Sequence, residues 1–124
     1  MRERRRDQRH FREISLERWL ATVAHQAGIS ELVLTDSRGL LIASSTNDEI
    51  VEEVAVAGRL LADHELPERE DPSNDANSMV ARKIETSDEP VFLCAVGELE
   101  RSREGVAMAT QGVIRILEQG RKAA

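Results

Sequence analysis

The side chains best suited to chemistry are few and scattered. His10, His25 and His64 lie far apart in the chain, and none falls within a Cys, Asp and Glu cluster at metal-ligand spacing. The single Cys94 sits inside the apolar run PVFLCAVG, where a thiol packs as a small hydrophobe and its ionisation is suppressed. Asp36 and Ser37 are adjacent in TDSRGLLIASS (35–45), a pairing that suits acid–base chemistry but equally suits a tight turn. Phosphate-cradling glycine loops and nucleophile elbows are absent from the sequence. These observations predict a chain with no catalytic residue, no metal site and no cofactor.

The elements around those residues follow from periodicity. ISLERWLATVAHQAG (14–28) repeats apolar residues at helical steps, with Ser15 at its start and Gly28 at its end. Two strand-like runs, 29–36 and 39–46, flank a turn in which Gly39 supplies the positive φ of a short hairpin loop. A middle helix begins near Asp48 and extends to about His64. It carries two apolar stripes, Ile50, Val54, Ala57 and Leu61, and Val51, Ala55, Gly58 and Ala62. One stripe suffices to seat a helix on a sheet, so the small-residue surface is expected to meet a partner. Residues 67–78 read as an acidic loop that hides one further short strand near 72–78. Alternation over 79–86 predicts a half-exposed or edge strand, whereas 90–97 is apolar throughout, as a strand covered on both faces must be. A last helix is expected from Ser102, as its cap, to about Gly120, with Val106, Ala109, Val113, Ile116 and Leu117 inward. The resulting fold class is α+β, in the order α-β-β-α-β-β-β-α, with an antiparallel sheet of about five strands sandwiched between helices.

Composition narrows the function. The 124 residues fit one domain, here 14–120, preceded by a basic arm or helix extension (1–13) and followed by a short tail (121–124). With two Phe, one Trp and no Tyr, the core must be aliphatic, and stacking platforms for single-stranded nucleic acid are lacking. The formal charge of −6 is uneven. Residues 1–12 hold six Arg against Glu3 and Asp7, a net +4, which leaves −10 for the rest. An acidic body disfavours nucleic acid, while the arm suits an acidic partner or an anionic membrane surface. The chain shows no signal peptide or membrane-length apolar run, so a cytoplasmic location is expected.

Three stretches together, LVLTDSRGLLIASS, DEIVEEVAVAGRLLA and PVFLCAVGELERSREGVAMATQGVIRIL, resemble the roadblock (dynein light chain) family over about residues 14–119. The most specific piece is the hairpin D-x-x-G-x-x-I-A-S, formed by Asp36, Gly39, Ile42, Ala43 and Ser44. The resemblance implies a profilin-like sheet with one helix on one face and the first and last helices on the other. It further implies a non-enzymatic scaffold or regulator that homodimerises and binds a Ras-like small GTPase. Dimer contacts on that basis fall on Ile50, Val51, Val54, Ala55, Gly58, Leu61 and Ala62 of the middle helix. Val80, Arg82 and Ile84 of the edge strand complete the set. The alternative is a profilin-like sensor or adaptor for a small ligand or peptide.

Overall fold

A computed structural model of the chain describes residues 2–46, 54–55, 68–69 and 77–122, with side chains described at 11–46, 54–55 and 77–119. The elements are α1 (Arg2–Ala27), β1 (Glu31–Thr35), β2 (Leu41–Ser44), β3 (Glu68–Arg69), β4 (Ser78–Ile84), β5 (Val91–Gly97) and α2 (Leu99–Lys122). Val54 and Ala55 are helical, between β2 and β3. The strands form one five-stranded sheet in the order β2-β1-β5-β4-β3, every neighbouring pair antiparallel.

Central β5 explains the layering. All seven of its residues are buried, and successive side chains point to opposite faces. Leu93 and Ala95 join Leu32, Leu34, Val80 and Ile84 under α1 and α2, while Cys94 and Val96 join Val33 and Met79 under Val54 and Ala55. Apolar side chains on both faces must be covered on both faces, so helical residues lie on each side of the sheet. Cys94 is thereby enclosed, and burial, followed by the negative charge of Glu31, pushes its thiol up to about 12.

On the first face the two long helices pack through an aromatic–glycine contact. Trp19 donates its Nε1–H to the Ala109 carbonyl at 3.0 Å, and its ring lies over Gly112. A Cβ added at Gly112 would stand 2.2 Å from the ring, so no larger residue fits without moving the helices apart. Leu16, Leu20, Val23, Val106, Ala109 and Val113 complete that layer, as their helical spacing predicts.

Several boundaries differ from the sequence expectation. α1 begins at Arg2, which makes Ser15 an exposed mid-helix residue rather than a cap. The arm is thus a helix extension: its Arg and Glu residues favour helix and no Gly or Pro interrupts them. At the other end, Ile29 N–H reaches the Ala24 carbonyl and Gly28 N–H the His25 carbonyl, the paired bonds of a glycine-terminated helix. α2 starts at Leu99, with Ser102 N–H donating to the Glu98 carbonyl, so Glu98 rather than Ser102 occupies the cap position. Its backbone continues past Gly120 to Lys122.

The third strand, Glu68–Arg69, lies before the 72–78 stretch expected to hold it. It pairs with Met79 and Val80, which moves β4 from the sheet edge to an inner position over those residues. Ser78–Ala81 are consequently buried, and only Arg82 and Lys83 of the strand are exposed.

Two outcomes test this packing. Gly112→Ala should lower stability by roughly 1–3 kcal/mol in a thermal or denaturant melt, because the clash with Trp19 outweighs the helix-propensity gain. A neutral result would refute the close approach. At pH 8 the Cys94 thiol should resist an aromatic disulfide reagent in the native chain and react fully in denaturant, since burial withholds both access and the thiolate.

Candidate functional site

The Asp36–Gly39 turn, the strongest local motif, is occupied by its own backbone. Asp36 Oδ1 accepts from the N–H groups of Arg38 (2.8 Å) and Leu40 (3.0 Å), while Asp36 N–H donates to the Leu40 carbonyl. Gly39 takes φ +84°, the left-handed conformation that the turn demands. A register shift between Leu34 and Thr35 leaves Ile42 as the extra residue of a bulge opposite them, after which Ala43 is buried. Ser45 closes the hairpin: its N–H donates to the Leu32 carbonyl, and its Oγ accepts from Leu32 N–H at 2.9 Å. Asp36 Oδ1 and the Ser45 hydroxyl thus serve the backbone, Asp36 Oδ2 faces the exposed Arg38 guanidinium at 3.7 Å, and the motif builds a hairpin.

A concave site lies beside that hairpin. A cleft of about 420 Å³ opens between α1, the late part of α2, the Asp36 turn and the loop joining β4 to β5. Leu16, Ile42, Val91 and Leu117 form an apolar floor. The rim is acidic: Glu13 and Glu118 from the helices, Asp36 from the turn, and Asp88 and Glu89 from the loop, against Arg12. Ser37 donates to Glu89 Oε2 at 3.2 Å and ties the two loops together, and Thr86 fixes the second loop by accepting from Asp88 N–H and donating to the Glu89 carbonyl. Among the described residues no ion pair engages Glu13 or Glu118. Such a surface offers apolar contact below and negative potential above, which suits an amphipathic cation. The sequence reading missed it, because its residues come from four segments far apart in the chain.

The residues predicted to form a dimer surface are placed differently. Val54 and Ala55, one from each predicted stripe, are both buried against the chain's own sheet. Val80 and Ile84 lie in the opposite core beneath α1 and α2, since alternate β4 side chains turn to that face. These four are buried within the chain's own core. Arg82 is exposed. Ile50, Val51, Gly58, Leu61 and Ala62 lie outside the described residues.

No family model matches the chain, and no curated protein sequence matches it. Solved structures do. Myxococcus xanthus MglB is similar with a TM-score of 0.61 at 14% identity, covering 86% of this chain and 90% of that one. The gliding protein MglB from Thermus thermophilus gives 0.57 at 16% identity, over 87% and 92%. An MglB with a tetrameric arrangement gives 0.57 at 14% identity, over 88% and 92%. From α1 to α2, this chain adopts the roadblock-like α+β fold of the MglB proteins.

Proposed function

We propose that the chain is a non-enzymatic, homodimeric platform that binds and regulates a Ras-like small GTPase. The observation that supports this most is the likeness to MglB, which extends over nearly the full length of both chains. Supporting it further, the hairpin that most invites a catalytic reading is engaged in its own turn. Self-association accords with the tetrameric arrangement of one MglB neighbour. Among the described residues no helix is long and apolar enough to cross a membrane.

The middle helix is proposed as the dimer contact. Because Val54 and Ala55 serve the sheet, the partner contact is assigned to the remaining apolar positions, Gly58 and Leu61 above all. Introducing charge or bulk there should split the dimer, as an unpaired charge cannot be desolvated at an apolar interface. Leu61→Asp and Gly58→Arg are expected to halve the mass seen by light scattering while the far-ultraviolet dichroism persists. An unchanged mass in both variants would remove the middle helix from the interface.

GTPase binding is tested by capture from lysate of the source cells loaded with GDP or with a non-hydrolysable GTP analogue. A small GTPase retained preferentially in one nucleotide state is the expected result. Absence of any GTPase in either state, with folded dimeric bait, would favour the sensor or adaptor reading instead.

A further inference from the structure

The acidic cleft has a complement elsewhere in the same chain. Residues 2–11 contain five Arg against Glu3 and Asp7 and end in Phe11, whose ring is 68% exposed. The cleft presents the matching pair of properties, an apolar floor and a rim with five carboxylates, of which Asp36 is paired with Arg38 and the others stand against Arg12. The arm cannot turn back into its own cleft, because α1 is one continuous helix from Arg2 to Ala27 and runs on past the rim at Arg12 and Glu13.

We propose that the cleft receives the Arg-rich turns of a second copy of the chain. This contact is additional to the middle-helix interface and does not depend on it. The geometry favours reciprocity: arm and cleft meet on α1 at residues 11–13, so a two-fold axis crossing α1 near that point lays each arm over the other's cleft. Ten helical residues extend about 15 Å, enough to run along a groove. An amphipathic helix in a groove seats its apolar anchor on the floor, here Phe11, and spreads its charges over the rim. The Arg–carboxylate contacts are solvent-facing, so the association is salt-sensitive.

The test uses the full-length chain and two charge reversals, Arg4→Glu with Arg5→Glu and Arg6→Glu on the arm, and Glu13→Arg with Glu118→Arg on the cleft. Both cleft positions are exposed on helices and lie outside the turn hydrogen bonds. Mass is followed against concentration by light scattering, at low salt and at about 0.5 M. Either reversal alone should weaken the arm-dependent association about tenfold, and high salt should weaken the wild type similarly. Combining both reversals restores opposite charges across the contact and should restore association. The inference is overturned if either reversal leaves the mass curve unchanged, or if the combined variant stays as weak as its parents. Repeating the series in a Leu61→Asp background separates the two contacts: an arm-dependent step that survives there supports this one even if the platform reading fails. Should a reversal perturb folding, mixed-disulfide trapping between Gln8→Cys chains and Glu118→Cys chains reads the same contact, with Cys94 buried and silent. No mixed disulfide would overturn it.

Discussion

Everything in this fold depends on a strand that has no polar face to spare. β5 runs through the middle of the sheet with Val91, Leu93 and Ala95 on one side and Phe92, Cys94 and Val96 on the other, all buried. Water is excluded from both faces only if each receives its own layer, so the sheet cannot rest on a single helix. The first face is closed by α1 and α2, and their separation is set by the absence of a side chain at Gly112, which admits the Trp19 ring. Val54 and Ala55 cover the second face where they are described. The edges of β1 and β4 are satisfied by β2 and, in part, by the two-residue β3.

Charge is organised by the same frame. Parts of α1 and α2 and the two loops at the Asp36 side of the sheet converge on one cleft, and most of its rim is carboxylate. α1 carries the opposite charge immediately beyond that rim. A chain that separates its charges along one helix gains a potential for oriented contact that its net charge of −6 does not reveal. The cleft and its charges therefore sit on the outside of the fold, beside the hairpin turn rather than within the core.

Much of the fold was legible locally. Leu16, Leu20, Val23, Val106, Ala109 and Val113 announced their burial through helical spacing, and the unbroken apolar run at 91–96 announced a strand covered twice. Gly39 and Asp36 announced the hairpin through turn chemistry. Legibility failed where partners are distant. Alternation in β4 suggested an edge, yet pairing of Glu68 and Arg69 with its first half made that half interior. Val54, Ala55, Val80 and Ile84 have the composition of a sticky surface, and that same composition serves a core. Of the cleft, nothing was visible, because Leu16, Ile42, Val91 and Leu117 carry no shared spacing.

The sequence by itself determined the two long helices, the first hairpin, the apolar central strand and the family they resemble, because periodicity, turn residues and helix propensity act over a few neighbouring residues. Only the tertiary structure decided which apolar residues are core and which acids share a rim. Burial and electrostatic potential arise from atoms close in space, and the chain brings residue 13 beside residue 118 only after the sheet has assembled beneath them.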